Sequence, residues 1–183
     1  MNVESLTLEQ APLSVREFFS ESTGPLVGTM AHVPELLQVA MPMIAQQFGP
    51  SSLSMRHKEM VILGVSALQG CQYCTDTHTV VASREGLSQD EVRVLRGAKE
   101  NEGEFVDKEL SLWTYVLAVG AGKIDVMQTK RAMGLLKHDW MDFEIVEVTM
   151  LVGTTIMLNR YCIALDIPTA QIHVDWLDQQ DWL

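Results

Sequence analysis

The sequence is poor in basic residues and in cysteine, and each shortage excludes a class of protein. Thirteen lysines and arginines stand against 24 aspartates and glutamates, which gives a formal net charge of −11 at pH 7. Such a surface repels phosphate backbones and anionic lipid, so we expect no nucleic-acid partner and no membrane partner. Three cysteines among 183 residues do not make a disulfide framework.

Long apolar runs and a leader-like segment are also missing. The longest apolar stretch, residues 145–158, is interrupted by Glu147 and three threonines, so it falls short of the ~18 apolar residues that a membrane span needs. The first ten residues contain neither the basic region nor the apolar core of a secretory signal. We therefore expect a cytoplasmic protein, whose thiols are kept reduced unless they take part in redox chemistry.

No stretch alternates apolar and polar residues with a period of two, so the sequence predicts no β-sheet. Pro-, Gly- or Ser-rich linkers long enough to separate domains are also absent. Apolar residues recur instead at helical spacing, and 47% of the residues are hydrophobic, which is sufficient for a buried core. We predict an oligomeric all-α bundle of about seven helices in a single domain over residues 1–183. Its expected parts are an N-terminal arm at 1–32, a core at 34–117, C-terminal helices at 123–165 and a tail at 166–183.

Local signals place the predicted helices. A long helix is expected over about 54–70, where Gly70 stops it, and the next over about 71–84. Pro42 is expected to kink or restart the helix in which it lies. The helix at 145–163 is apolar on almost every side, so it lies either at the centre of the core or at an oligomer interface.

Four residues of two adjacent helices form a chemically suggestive group. Cys71, Cys74 and His78 stand at positions i, i+3 and i+7, which share one helix face. Glu59 lies in the preceding helix, and a turn near Gly70 would fold its carboxylate back beside the imidazole. These residue types suit thiol redox catalysis, because a helix N-terminus and an imidazole lower a thiol pKa and a second thiol turns a sulfenic acid into a disulfide.

In that chemistry His78 would move the proton and Glu59 would hold its tautomer. An external dithiol would reduce the Cys71–Cys74 disulfide, so we expect no bound cofactor. Two structural alternatives stay open: the cysteines could be core residues, or a zinc site could use both of them with His78 and Glu59 or an outside ligand. Haem attachment is excluded, because Thr75 stands where the histidine would be.

The third cysteine, Cys162, is expected to be a core thiol on an apolar helix. A weak internal similarity includes it. Glu59 precedes the tetrapeptide at 71–74 by twelve positions, as Glu147 precedes Asn-Arg-Tyr-Cys at 159–162. A duplication would imply two related helical hairpins, the first active and the second structural.

The spacing Glu59, eleven residues, Cys71-x-x-Cys74, three residues, His78 resembles the signature of the AhpD-like, carboxymuconolactone decarboxylase superfamily. The resemblance extends over about residues 34–117. It implies an all-helical fold that assembles into trimers or hexamers, with alkylhydroperoxidase or thiol-disulfide oxidoreductase activity. The partners that it implies are a small-molecule hydroperoxide and a dithiol or lipoyl-type protein reductant.

The same resemblance implies roles for the site residues. Cys74 would attack the peroxide, Cys71 would be the proton donor and resolving thiol, and Glu59 and His78 would form a proton relay. Helix-terminus electrostatics instead favour Cys71 as the thiol of lower pKa, so which cysteine attacks first is left open. Tyr73 is a departure, because some peroxidatic members carry a histidine at that position.

Two rival functions belong to other classes. An acid/base enzyme, a decarboxylase or isomerase acting on a small carboxylated ring, would use Glu59 and His78 and tolerate loss of both thiols. A non-catalytic helical oligomer would serve as a redox sensor or a zinc-stabilised partner module. Lactone decarboxylases generally lack the cysteine pair, so thiol chemistry is the preferred hypothesis.

Overall fold

The computed structural model describes residues 1–19, 24–97, 99 and 103–182, and over these residues the chain forms helices and no strand. The all-α prediction is confirmed. The described helices are a 3-10 helix at Leu13–Phe18 and α1 Gly24–Met30, α2 Pro34–Phe48, α3 Met55–Gln69, α4 Gln72–Arg84, α5 Gln89–Gly97, α6 Asp107–Val119, α7 Val126–Asp139, α8 Asp142–Leu165 and α9 Gln171–Gln179.

This is more than the seven helices expected. The additional ones are the 3-10 helix, α1 and α9, which have six to nine residues each. A helix of two turns repeats its apolar pattern too few times to be recognised from periodicity. The predicted arm at 1–32 and the predicted core at 34–117 each include residues outside the described ranges, and the division of the chain into parts stays a prediction.

The connection between α3 and α4 sets up the site. The Ser54 hydroxyl caps α3 by accepting a hydrogen bond from the backbone N–H of His57. Gly70 ends α3 in the left-handed region with φ +69°, a conformation that glycine adopts without steric cost. The backbone N–H of Cys71 then donates to the Ser66 carbonyl over 3.0 Å. These boundaries confirm the predicted helical hairpin and place Cys71 at the N-cap of α4.

α2 runs as one helix through Pro42, so the predicted restart does not occur. Proline has no N–H, and its absence removes the bond that the Gln38 carbonyl would accept. Gln38 lies on the exposed side of the helix. Leu37 and Ile44 are buried on either side of the proline and hold the helix against the core.

α3 is buried on all sides and packs tightly against α6. A Cβ added at Gly64 would lie 2.3 Å from the ring of Trp113, so only glycine permits this approach. The Trp113 indole N–H donates to the Lys99 carbonyl over 3.0 Å. α3 is therefore fixed in the middle of the bundle, and the side chains that it presents to the site have little room to move.

α8 packs one face on α3 and leaves the other exposed. By length and composition alone it could cross a membrane, a test that buried core helices also pass, and 44% of its most apolar window is buried. Four of its exposed apolar residues, Phe143, Val146, Met150 and Met157, lie along one side of the helix. The helix is thus neither wholly central nor wholly outside the core.

A charged contact joins α8 to α3, and two serines of the loop before α3 take part in it. Lys58 is fully buried, and its ammonium group donates to the Gln47 and Gly49 carbonyls over 2.8 and 2.6 Å. The same group lies 3.1 Å from a carboxylate oxygen of Glu147. The hydroxyls of Ser51 and Ser52 also donate to that carboxylate.

Candidate active site

The predicted contact between Glu59 and His78 is present. Nδ1 of His78 lies 2.8 Å from Oε2 of Glu59, which reaches it from α3. The Glu59 side chain is 3% exposed and the His78 side chain 15%. In neutral imidazole this contact places the proton on Nδ1, which leaves Nε2 free to exchange a proton with a ligand. The edge of Phe48 packs against the imidazole, with ring centroids 5.8 Å apart.

Cys71, Cys74 and Cys162 form one thiol cluster. All three are buried and free of disulfides, and their Sγ atoms lie within 4.8 Å of one another. The first two come from the start of α4, and Cys162 comes from the last two turns of α8. The apolar sequence around Cys162 predicts a buried thiol but not its proximity to the other two. The only sequence signal for that contact is the weak similarity between 71–74 and 159–162.

The three thiols differ in acidity. Hydrogen bonds donated by Cys162 and by Cys74 lower the pKa of Cys71 far below its usual range. The hydrogen bond to Cys71 raises the pKa of Cys162, and the contact with Cys74 and burial act in the same direction. For Cys74, the contact with Cys162 lowers the pKa, but the charged Cys71 sulfur and burial outweigh it and the pKa is raised. Cys71, at the N-terminus of α4, is therefore the most acidic thiol of the cluster.

An apolar cavity of about 380 Å³ opens onto one side of this cluster. Cys74 and His78 both line it, and so do the polar side chains of Ser66 and Asn159. None of its described lining residues is a lysine or an arginine. Its apolar walls are Leu26, Val27, Met41, Ile44, Phe48, Ile62, Val81 and Leu158.

A second cavity, of about 200 Å³, opens onto the other side of the cluster. Cys71 and Cys162 line it, together with polar residues that include Gln72 and Asp166. Tyr73 lines both cavities and stands between them. The sulfurs are therefore reached from two directions, Cys74 from the apolar cavity and the other two from the second cavity.

This arrangement corrects the predicted continuous stripe of Cys71, Cys74 and His78. Cys74 and His78 share the apolar cavity, but Cys71 faces the second one. The reason is that Cys71 is an N-cap with extended backbone angles, φ −86° and ψ 97°. The i, i+3 rule for a shared face applies only where both residues are helical.

The thiol cluster also defines where a metal ion could be held. Three sulfurs within 4.8 Å of one another offer the ligands that soft ions such as zinc accept. The zinc set considered from the sequence used His78 instead of Cys162. The structure directs the imidazole to Glu59 and brings Cys162 to the cysteine pair, so the thiols are the better donor set.

Residues 34–103 match the model of the carboxymuconolactone decarboxylase family. This segment is similar to that family and is less than half of the chain. It contains Glu59, Cys71, Cys74 and His78, so the resemblance predicted from the sequence is confirmed. No functionally curated protein matches the chain at a significant level.

Several crystal structures share the fold. The debrominase Bmp8, as a cysteine-to-alanine variant in complex with 2,3,4-tribromopyrrole, aligns with a TM-score of 0.80 at 16% identity, over 98% of this chain and 97% of that one. A peroxidase-related protein from Ralstonia eutropha JMP134, described as an AhpD core, aligns with a TM-score of 0.77 at 13% identity, over 94% of this chain and 93% of that one.

An Agrobacterium tumefaciens protein of unknown function, whose suggested role is antioxidant defence as AhpD, gives a TM-score of 0.67 at 23% identity, over 77% of this chain and 94% of that one. These three likenesses show an AhpD-like helical fold. At such identities they carry no activity across to this protein, and the family match supports a peroxidase-related or decarboxylase-like role only in general terms.

Proposed function

We propose that this protein is a thiol-dependent alkylhydroperoxidase or disulfide oxidoreductase. Cys71 and Cys74 carry out the redox chemistry in this proposal, and Glu59 and His78 move the protons. The observation that carries the proposal is the apolar cavity, because the Cys74 thiol and the His78 imidazole both line it. The carboxylate of Glu59 contacts Nδ1 of the same imidazole.

Cys74 attacks first, because it lines the apolar cavity and Cys71 does not. Nε2 of His78 takes the thiol proton, and the carboxylate of Glu59 stabilises the imidazolium. The Cys74 sulfur then bonds to the outer oxygen of the hydroperoxide as the O–O bond breaks. The imidazolium returns the proton to the departing alkoxide, which leaves an alcohol and a sulfenic acid on Cys74.

Cys71 resolves the sulfenic acid. Its lowered pKa supplies a thiolate at neutral pH without a further base. The thiolate attacks the Cys74 sulfur, the S–O bond breaks, and the hydroxide takes up a proton to leave as water. An external dithiol, such as a lipoyl-type protein reductant, returns the disulfide to two thiols and is itself oxidised to a disulfide.

The walls of the apolar cavity favour an organic hydroperoxide without a carboxylate. They bury apolar surface of the substrate, and the polar groups that face it are neutral except for the Glu59–His78 pair. The same walls count against an acid/base enzyme for a carboxylated ring. A substrate carboxylate buried there without a cationic partner would cost several kcal/mol of binding free energy. The removal of one partner from a buried ion pair has a cost of the same order.

A second candidate is reductive dehalogenation, favoured by the fold shared with the debrominase Bmp8 over nearly the whole chain. An apolar cavity with a thiol suits a halogenated aromatic compound as well as it suits an alkyl hydroperoxide. The Cys74 sulfur would take the halogen, a proton would replace it on the ring, and Cys71 would displace halide to give the same disulfide. The two candidates differ only in the bond that Cys74 breaks.

The test is a stoichiometric oxidation of the reduced protein with cumene hydroperoxide. We expect one equivalent to be consumed per chain, two thiols to be lost and a Cys71–Cys74 disulfide to be found by non-reducing peptide mass spectrometry. Cys74→Ser abolishes consumption, and His78→Gln slows it by roughly 10²-fold or more. His138→Gln, which changes an exposed histidine outside both cavities, is the matched control.

If Cys74→Ser consumes the hydroperoxide as fast as the unchanged protein, the proposed attacking thiol is wrong. A parallel incubation with a brominated pyrrole, followed by measurement of free bromide, distinguishes the second candidate. Bromide release without consumption of hydroperoxide would replace the first candidate by the second.

A homo-oligomer is the proposed assembly, a trimer or a hexamer. The exposed apolar side of α8 supports it, because Phe143, Val146 and Met150 would be covered by a second copy. We expect light scattering to give a multiple of the chain mass, and Val146→Glu to give a smaller species. A monomeric unchanged protein would contradict this assembly.

A further inference from the structure

Cys162 is the cysteine that the proposed catalytic cycle does not use, although it touches both of the cysteines that do. It comes from α8, far from them in sequence, and is 2% exposed. Its Sγ atom lies within 4.8 Å of those of Cys71 and Cys74. A core thiol kept only for packing does not need this position, because an alanine or valine fills apolar space as well.

We propose that Cys162 is a third redox thiol, which takes over the disulfide from Cys74 and presents it, as Cys71–Cys162, to the reductant in the second cavity. The proposal rests on the proposed function, since it assigns to that cycle the step between oxidation and re-reduction. The oxidising substrate and the reductant then reach the sulfurs from opposite sides.

The two cavities provide the geometric argument. Cys74 lines the apolar cavity, where an organic substrate binds, and Cys71 and Cys162 line the second one. A dithiol that entered the apolar cavity would compete with the substrate and would lose its hydration there. The second cavity is lined by the polar side chains of Gln72 and Asp166. Both sulfurs of the transferred disulfide line it as well, so one reductant molecule can reach either of them.

The transfer is a thiol–disulfide exchange within the chain. The Cys162 sulfur bonds to the Cys71 sulfur, the Cys71–Cys74 bond breaks, and Cys74 leaves with the electron pair of that bond. The proton released by Cys162 passes to Cys74, whose sulfur it already contacts. Nothing is oxidised or reduced overall, and Cys74 is a free thiol again before the reductant has arrived.

Re-reduction then follows from the second cavity. A thiolate of the external dithiol attacks the Cys162 sulfur, and Cys71 leaves as a thiolate, which is the best leaving group of the cluster because its pKa is lowest. The second thiol of the dithiol attacks its own sulfur in the mixed disulfide and releases Cys162. The products are two protein thiols and the cyclic disulfide of the reductant.

The acidity of the cluster fits a thiol that reacts only when required. In the reduced protein the hydrogen bond to Cys71 raises the pKa of Cys162, which favours its protonated form. Once Cys71 is part of a disulfide, that hydrogen bond is gone and the main cause of the raised pKa is removed. Cys162 therefore gains nucleophilicity when the disulfide to be transferred has formed.

The decisive experiment uses Cys74→Ser, in which Cys71 and Cys162 are the remaining cysteines, after treatment with a chelator to remove any metal. Diamide oxidises adjacent thiols without peroxidase chemistry. We expect both thiols to be lost and a Cys71–Cys162 disulfide within one chain to be found by non-reducing peptide mass spectrometry. Two surviving thiols, or disulfides only between chains, would overturn the proposal.

A second measurement separates a redox role from a structural one. The unchanged protein and Cys162→Ser are oxidised with diamide, and the rate of reduction by dithiothreitol is followed by the release of thiols. Serine can still donate a hydrogen bond but cannot form a disulfide, so we expect reduction to slow by about 10-fold or more. An unchanged rate means that the reductant does not enter through Cys162.

These measurements do not depend on the substrate. If the protein consumes no hydroperoxide but the Cys71–Cys162 disulfide forms, the proposed function is wrong and the redox role of Cys162 is supported. If hydroperoxide is consumed and Cys162 remains a thiol throughout, the proposed function is supported and the redox role of Cys162 is wrong.

Discussion

Glu59 and Glu147 occupy corresponding positions in the two halves of the weak internal similarity, and the structure gives them different partners. Glu59 contacts one ring nitrogen of His78, and the other ring nitrogen is left to exchange a proton with a ligand. Glu147 contacts the buried ammonium group of Lys58, which also donates to two backbone carbonyls. The first pair can therefore move a proton, and the second joins α8 to α3.

The sulfur-bearing segments differ in the same way. The position four residues after Cys162 corresponds to His78, and it holds Asp166, the left-handed C-cap of α8, which pairs with the N-terminal amine over 2.8 Å. The segment at 147–166 thus places a cysteine beside the site without a proton relay to activate it. A thiol of this kind suits disulfide exchange better than attack on a peroxide.

The largest effects are expected from exchanging each carboxylate for its amide. Glu147→Gln leaves the fully buried charge of Lys58 without its partner and lowers the free energy of unfolding by about 3–5 kcal/mol. Glu59→Gln removes the group that orients and stabilises the imidazole, so it lowers hydroperoxide turnover by roughly 10²-fold with a smaller effect on stability. Urea unfolding and a peroxide assay on both variants measure the contrast.

The control for this contrast is the exposed pair of Arg93 and Asp90. Asp90→Ala breaks a contact whose side chains are 61% and 76% exposed, so we expect a loss below about 1 kcal/mol. If Glu59→Gln destabilises the protein as much as Glu147→Gln and leaves turnover intact, both carboxylates are structural and the distinction between the two halves is wrong.

Two glycines offer a smaller test of how closely α3 is held. Gly64→Ala puts a methyl group into the ring of Trp113 and should lower the free energy of unfolding by about 1–3 kcal/mol. Gly134→Ala, in α7, meets no atom within 4 Å and should raise it by up to about 1 kcal/mol through helix propensity. Equal changes in thermal unfolding for the two variants would contradict the tight packing of α3 on α6.

The helical hairpin that carries the site could be predicted from the sequence because its signals are local. The Ser54 cap, the left-handed Gly70 and the eleven residues between Glu59 and Cys71 determine where the chain turns and which helices meet. The Glu59–His78 contact follows from that turn. A fairly specific spacing therefore placed two of the four site residues correctly in space.

The rest depended on contacts and angles that spacing does not encode. Cys71 leaves the expected stripe because an N-cap adopts extended angles, and helix periodicity does not apply to it. Cys162 reaches the cluster through the packing of α8 on α3, across a separation of 88 residues from Cys74. No local sequence pattern indicates such a contact. An apolar helix has the same sequence pattern whether its cysteine faces the core or the candidate site.

The smallest expected effect concerns how Cys162 tunes Cys71. The folded protein lowers the pKa of Cys71, so its thiolate is present at neutral pH and disappears only as the pH falls through that lowered value. Cys162→Ala removes the first of the hydrogen-bond donors responsible, and we expect the pKa to rise by about one unit, worth about 1.4 kcal/mol. Cys162→Ser keeps a hydroxyl donor and should raise it less.

The measurement is the thiolate absorbance near 240 nm as a function of pH, with Cys71→Ser to identify the signal. We expect the pKa of Cys71 to increase from the unchanged protein to Cys162→Ser and again to Cys162→Ala. This order separates a hydrogen-bond effect from a change in burial, because both variants alter the side-chain volume but only Cys162→Ala removes the donor. Identical titrations for serine and alanine would mean that the helix N-terminus, rather than the neighbouring thiol from α8, sets the acidity of Cys71.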